Sequence, residues 1–515
     1  MHTAPSDIEP VSRTQSPQGA ARAGRALPQA AAALVVVLLL LVIVRLPWAG
    51  DLGMHAATVQ RLSHNLFHPG NPLVDADTPS PYYSPWMLVL GLVAKVTGLS
   101  VFVVLRLAAL VGLSLLVTGV WRYVRTLSAH RAAPALALLS LLFLWGPLLF
   151  NWSGFLGLNS LALTVSYPSV FALGLTFHFW AWVTRATREE AAWGRWLWLG
   201  VLWALVLLCH QFTGVVASLG ALAMVIAARP ARPVLLRLAG ALALGMLLLW
   251  LWPYYDFFSL FSAGADLEAI HKPLYEDLPA RFGLVLLGVA ALVLRWRRDR
   301  WDPLVLFFLL GVLVFAAGGL SGHYSWGRAL PAALIPAQLA AALEVVSAGR
   351  RAVGVPPRER SRAWGRAGWA CVLGAALAVG AWTQVGTLGY VTGRAALPSV
   401  VAAKYRTPWV GYHWITPWVK YGDVVMARTT PARQIPAYGA YTVAPGYPDV
   451  FLKDSARRED AVARYFAAGT SAADRAGILR QYDVKWVVGL KSLAGPGLRK
   501  VTVGPASQVL YRVLP

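Results

Sequence analysis

Residues 50–83 read GDLGMHAATVQRLSHNLFHPGNPLVDADTPSPYY. The stretch follows directly on the first long apolar run, residues 30–48, and carries Asp51, His55, His64, His68, Asp75 and Asp77. The rest of the chain is mostly apolar. A polar, histidine-bearing loop opening beside a membrane face is a place where chemistry can be done on a lipid-borne substrate. The remaining sequence then reads as the scaffold that holds this loop, or as the lid above it.

Composition sets the class. Of 515 residues, 57% are hydrophobic and 13% charged, and the mean hydropathy is +0.56. Repeated apolar runs of about 18 residues or more are what a bilayer core demands, and soluble domains do not carry them. A net charge of +23 would suggest nucleic acid in a soluble protein. Here the arginines sit in short loops between apolar runs, so the positive-inside rule accounts for them and no nucleic-acid partner is expected. Cys209 and Cys371 both lie inside apolar runs, which argues against a disulfide framework.

Residues 1–29 are polar and lack an apolar period, and read as a disordered cytoplasmic tail. Arg13, Arg22 and Arg25 precede the first apolar run, which is long and lacks a clear cleavage site, so it reads as an uncleaved span. Further spans are expected near 101–121, 133–150, 168–184, 196–210, 212–228, 236–253, 281–296, 303–320, 328–347 and 367–390, about eleven in all. With the N-terminus inside, the inner loops are WRYVRTLSAHR, RATREEAAWGR, RPARPVLLR, RWRRDRWD and GRRAVGVPPRERSRAWGR, each rich in arginine. The outer loops hold Asp51, Asp75, Asp77, Asp256, Asp266, Glu268, Glu276 and Asp277. This alternation requires residues 84–98, SPWMLVLGLVAKVTG, to lie along the membrane or insert halfway; a full crossing would reverse every later loop.

After the last span the pattern changes. Residues 391–515 carry strand-like pieces at 423–427, 441–444, 485–489 and 509–514, with helical periods at 458–468 and 472–482 between them. A small α/β domain is expected there, on the same outer face as the first loop. No repeat, zinc spacing, GxGxxG, Walker motif or nucleophile elbow is present in the sequence. The fold class is therefore mostly α: a polytopic transmembrane bundle spanning 30–390, with its outer loop at 49–100 and a small C-terminal extracytoplasmic α/β domain.

Several polar residues stand where chemistry could occur. Asp51, just beyond the first span, has the reach of a general base for an acceptor hydroxyl, or simply marks a helix end. His55 lies four residues on and shares its helical face. Asp75-Ala-Asp77 is a DxD-like pair able to hold a divalent cation, Mg or Mn, through hard oxygen ligands; the motif is also common in ordinary loops. Tyr82 and Tyr83 can stack on a sugar or sit at the headgroup level. His210 and Gln211 fall between two apolar runs, where such a pair should face the protein interior or a cavity. Tyr255 and Asp256 end the seventh span, and the following loop, with Glu268, His271 and Lys272, can act as a flap. Arg328 heads an apolar span on a face with few basic residues, where a guanidinium suits a lipid phosphate; snorkelling to a headgroup is the alternative. His323 is near it.

These features resemble the GT-C superfamily of polytopic glycosyltransferases, the bacterial membrane proteins that use polyprenyl-phosphate-linked sugars. The resemblance rests on the short tail, first span and acidic loop closing on Tyr82-Tyr83-Ser-Pro-Trp, on the Arg-headed span GRALPAALIPAQLAAAL, and on the tail segments GDVVMARTTPARQIPAYGAYTV, DSARREDAVARYF and ILRQYDVKWVVG. Asp51 is followed by Leu, with no adjacent acidic pair, which leaves metal dependence open. The resemblance implies a multi-pass enzyme of the cell membrane. It would transfer a sugar, with inversion, from a polyprenyl-phosphate donor to a cell-envelope glycan, lipid or protein. Asp51 would act as base with His55 beside it; Arg328, Lys272 and His323 would bind the donor phosphate; Tyr82, Tyr83, His210, Gln211, Tyr255 and Asp256 would contact substrate. A non-catalytic membrane assembly protein, a transporter of lipid-linked sugars and a ligase of lipid-linked glycans remain as alternatives of the same architecture.

Overall fold

The computed structural model describes residues 17–262, 265–347, 359–490, 493 and 495–514. Residues 1–16 of the expected tail, and 348–358 of the last arginine-rich loop, lie outside the described residues. Helix α1 (Pro17–Arg45) begins inside the stretch read as a tail. It is followed by α2 (Leu52–His64), α3 (Pro85–Thr97), α4 (Val101–Leu127), α5 (Ala133–Phe143), α6 (Leu158–Thr164), α7 (Pro168–Arg188), α8 (Trp193–Cys209), α9 (Gln211–Ala228) and α10 (Arg232–Trp250). Then come α11 (Ala265–His271), α12 (Leu278–Phe282), α13 (Leu286–Arg298), α14 (Pro303–Ser321), α15 (Pro331–Ser347) and α16 (Glu359–Thr383).

Among the described residues, seven helices are long and apolar enough to cross a membrane, and up to nine if each of two bent pairs counts as one span. The expected spans at 133–150 and 196–210 are instead helices of 11 and 17 residues, shorter than the roughly 20 residues a bilayer core requires. Helix α5 stops at Phe143 because Trp145-Gly146-Pro147 follows. The unwound segment is not left unpaired: Leu148 N–H donates to Ala280 O (2.9 Å) and Leu284 N–H to Trp145 O (2.8 Å). Irregular backbone is tolerated at such depth only where protein satisfies it. A Cβ at Gly146 would lie 2.2 Å from Ala280 O, so this pairing requires glycine. The last turn of α3 lies beside the end of α2 in the first loop, for Lys95 Nζ reaches His64 O at 3.0 Å.

The arginine-rich loops gather at one end. Arg188 donates to Thr126 O and Arg237 to the carbonyls of Glu190 and Ala191. Arg229 lies over Trp301, and Arg298 forms a two-pronged pair with Glu344 (2.8 and 2.5 Å). At the opposite end lie the first loop and the C-terminal domain. The span leading through α15 is central, with 94% of its apolar window buried against 22% for α1 and for α10; the latter two face outward.

Two single-turn helices, α17 (Gly389–Thr392) and α18 (Ser399–Ala402), lie between the bundle and the terminal domain, and a third, α19 (Thr429–Ala432), lies within that domain. The domain's sheet has order β2-β1-β3-β5-β4, where β1 is Val424–Met426, β2 Tyr441–Thr442, β3 Val484–Leu490, β4 Leu498–Val503 and β5 Gln508–Val513. β1 runs parallel to β2 and β3, while β5 is antiparallel to β3 and β4. Side chains alternate across the sheet. Val424, Met426, Val487 and Tyr511 pack under α20 (Ser455–Phe466) and α21 (Ala472–Gln481), whereas Val425, Trp486, Val488 and Leu510 face Tyr412, Ile415 and Ile435. Strand β4 was not apparent in the sequence; it is an edge strand bearing exposed Arg499 and Lys500, charges of the kind that keep an edge from pairing further.

Candidate active site

The first loop and the C-terminal domain meet directly. Arg61 on α2 is buried, donates to Gly439 O (2.9 Å) and Ala440 O (2.7 Å), and lies 3.6 Å from the centre of the Tyr441 ring. Asn71 reaches the Asp449 carboxylate (2.8 Å), Tyr82 donates to Pro448 O (3.0 Å), and Tyr447 donates to Gly50 O (2.7 Å). Between these elements and the ends of α6–α9 and α15 lies a cavity of about 1030 Å³.

Asp51 opens onto this cavity from the residue before α2. Its φ and ψ of −82° and 6° are not those of an extended N-cap, and its side chain makes no cap hydrogen bond. Burial raises its pKa above the ordinary 3.8, opposed by the positive charges of Arg328 and Arg433. His55 also lines the cavity. Its backbone N–H donates to Asp51 O (3.1 Å), but its ring meets Tyr167 edge-on (4.6 Å) and no side-chain bond joins it to Asp51. Burial holds the imidazole pKa down near 3, so it is neutral at ordinary pH. Tyr167 itself donates to Ala49 O.

Arg328 sits in the 3-10 turn that leads into the central helix. Its guanidinium is buried, 4.6 Å from the Phe212 ring centre and 5.9 Å from that of Trp152. One terminal nitrogen is 3.4 Å from His210 Nε2, and the Nε has no partner among the described residues. His210 caps α9, with Nδ1 receiving the Thr213 N–H at 3.2 Å. Thr213 Oγ1 lies 2.8 Å from the same Nδ1, and the Arg328 nitrogen stands at hydrogen-bond distance from Nε2, so the ring ties the guanidinium to the start of α9. The guanidinium's other N–H groups suit an anion's oxygens.

Tyr82, His210 and Gln211 line the cavity with Asp51, His55 and Arg328. Other expected site residues do not. Lys272 is exposed, 6.0 Å from the Tyr324 ring centre, while its neighbour His271 turns inward. His323 is exposed and bonds Ser321 Oγ (2.9 Å). Tyr83 is buried and ties its own loop through Gly70 O (2.7 Å). Tyr255 packs against Leu207 and Leu208, and Asp256 caps the Phe258 N–H (2.9 Å). Asp75 and Asp77 are exposed and outside the cavity wall. Among the described residues no three His, Cys, Asp or Glu side chains converge.

Sequence reasoning missed Trp152, Tyr167, Arg433, Tyr447 and Asp449, which complete the wall. The last three come from the C-terminal domain, and no local pattern marks them.

No family model matches the sequence, and no curated protein matches it. Solved structures do. The arabinofuranosyltransferase AftD from Mycobacteria is similar over 94% of this chain, at 17% identity and a TM-score of 0.55. The chain spans 40% of the length of that protein. ArnT from Cupriavidus metallidurans, solved bound to undecaprenyl phosphate, is similar over 96% of this chain and 98% of its own, at 15% identity and a TM-score of 0.50. With its apolar helices, its central Arg-headed span and its small terminal sheet, the chain has the fold of the GT-C membrane glycosyltransferases.

Proposed function

We propose that this protein transfers a sugar from a polyprenyl-phosphate donor to an extracytoplasmic glycan, lipid or protein acceptor, with inversion at the anomeric carbon. The observation that carries this reading is the placement of the Asp51 carboxylate and the buried Arg328 guanidinium on one cavity, beside helices apolar enough to lie in lipid. A lipid-linked donor keeps its chain in the bilayer while its head enters the cavity. ArnT, whose likeness covers nearly the whole chain, was solved with undecaprenyl phosphate bound, which supports that donor class.

Asp51 would take the proton from the acceptor hydroxyl as its oxygen attacks the anomeric carbon. The bond from that carbon to the phosphate oxygen breaks, and its electron pair leaves with polyprenyl phosphate. Arg328, held beside His210, offsets the charge that grows there. No step is routed through a divalent cation, because Asp75 and Asp77 stand away from the cavity.

The test is transfer of labelled sugar from a panel of polyprenyl-phosphate donors in membranes, comparing wild type with D51N and R328A at matched expression. Loss in both variants is expected. Full transfer by D51N would displace Asp51 as the base, and no transfer by wild type from any donor would overturn the reading.

A further inference from the structure

Arg433 is built into place. Two glycines clear its position: a Cβ at Gly53 would lie 1.9 Å from Arg433 O, and a Cβ at Gly446 would lie 2.5 Å from Arg433 Cγ. The first turn of α2, which begins beside Asp51, therefore presses on the Arg433 backbone, while the turn around Gly446 wraps its side chain. Arg433 Nε donates to Gly446 O at 2.7 Å. The guanidinium carbon stands 5.1 Å from the centre of the Tyr447 ring, whose hydroxyl is tied to Gly50 O. With Nε occupied and the ring behind it, the fork is oriented. Its two terminal nitrogens make no hydrogen bond or ion pair with a described residue, and the side chain lines the same cavity as Asp51 and Arg328. An arginine fixed this way and left open at its tip suits an anion bound in the cavity.

We propose that Arg433 is a catalytic residue of this transfer, donating to the departing phosphate from the C-terminal domain's wall of the cavity, so that this domain completes the active centre. The inference rests on the glycosyl-transfer reading above. Charge conservation supports it. Of the charges that act on the reacting atoms, two guanidiniums, the Asp51 carboxylate and a phosphodiester monoanion sum to zero, and the carboxyl groups of Asp449 and Glu459 line the same cavity. The acceptor proton then moves to Asp51, the new carbon–oxygen bond forms, and the leaving group departs as a phosphate monoester dianion. Two guanidiniums, a neutral carboxylic acid and a dianion again sum to zero. With Arg328 alone the cavity would lose one of its two cations while the phosphate still departs as a dianion, an imbalance that a buried site penalises.

Removing Arg433 also bears on Asp51. The charged groups around that carboxylate are Arg328 and Arg433, which stabilise its ionised form. Tyr82, Tyr167 and Tyr447 also feel its charge, and neutral His55 lies on the adjoining helix. Loss of one cation raises the Asp51 pKa, so the acidic limb of kcat/KM moves to higher pH.

The experiment uses the full-length protein with a donor that supports transfer. R433Q, or R433M if it better retains the wild-type Tm, is expected to lose roughly 100-fold in kcat/KM and to shift the acidic limb upward. R433K, which keeps the charge but not the fork, should return the acidic limb towards its wild-type position and recover part of the rate, and R499Q, changed at the exposed edge strand, should match wild type. Wild-type protein gives a second readout, independent of variant folding: phenylglyoxal modification of Arg433, mapped by mass spectrometry, should be blocked by sugar-free polyprenyl phosphate and not by polyprenol. A folded R433Q or R433M within twofold of wild type, with an unmoved limb, would overturn the proposal. So would polyprenyl phosphate that protects Arg328 while leaving Arg433 fully reactive. Protection of neither arginine, with no transfer by wild type, would instead overturn the glycosyl-transfer reading itself.

Discussion

Asp51 stands where an aspartate ordinarily caps a helix, yet it does not cap. Its carboxylate is spent on nothing local, and the two cations nearest in effect, Arg328 and Arg433, come from distant parts of the chain. D51N should therefore lower kcat by about 1,000-fold while leaving Tm within a degree or two of wild type, read by activity and thermal unfolding on the same preparation. The pH dependence follows from sign. A base must be ionised, and burial raises the Asp51 pKa, so the acidic limb of kcat/KM should lie above the ordinary 3.8. R328A should move that limb further up. His55, held near 3, should add no inflection around 6.5. Sequence made Asp51, His55, His210 and Arg328 legible as polar residues beside apolar runs. The same criterion also selected Lys272, His323 and Asp256, since it cannot tell which way a side chain turns at a helix end. Arg433 and Tyr447 were illegible for the opposite reason: they belong to the site only through the docking of two segments far apart in the chain.

That docking is carried by α2. Gly53 lets its first turn approach Arg433 to a distance at which any Cβ collides with backbone. G53A should cost about 1–3 kcal/mol of stability, the usual range for overpacking, and should lower activity by displacing both Asp51 and Arg433. The contrasting substitution is G194A near the start of α8, where nothing lies within 4 Å; it should be neutral or stabilise by up to about 1 kcal/mol. Arg61, further along α2, closes two carbonyls of the C-terminal domain. R61A should cost about 3 kcal/mol by removing charged hydrogen bonds and stranding buried acceptors, measured as a fall in Tm and faster proteolysis between residues 403 and 422. R61K, which keeps the charge but not the fork, should lie between. The long helices were legible from hydropathy, because the period and length of an apolar run are local. The early stop of α5 was less so: Gly146 and Pro147 mark a break, but only pairing with the 280–284 segment shows how an unwound stretch survives there. Strand β4 hid behind Arg499 and Lys500, charges that suit an edge and weaken the strand signal.

Across the whole molecule, charge and function occupy opposite ends. The loops at 121–131, 185–195, 229–237 and 295–302 join one another through Arg188, Arg229 and Arg237, and Arg298 ties the last of them to Glu344 on α15, while Asp51 and Arg328 line the cavity at the other end. The positive-inside rule predicts the direction: the arginine-bearing end is expected to face the cytoplasm and the cavity to open outside. Single-cysteine labelling checks this in a Cys371→Ser background, because Cys209 is buried and Cys371 is exposed. Ala468, at the exposed end of the segment after α20, and Arg300, in the loop after α13, report the two ends. A468C should react with a membrane-impermeant maleimide in intact cells, and R300C only after the membrane is opened. The reverse pattern would place the cavity in the cytoplasm, where a base and a phosphate clamp would meet substrates of the other leaflet.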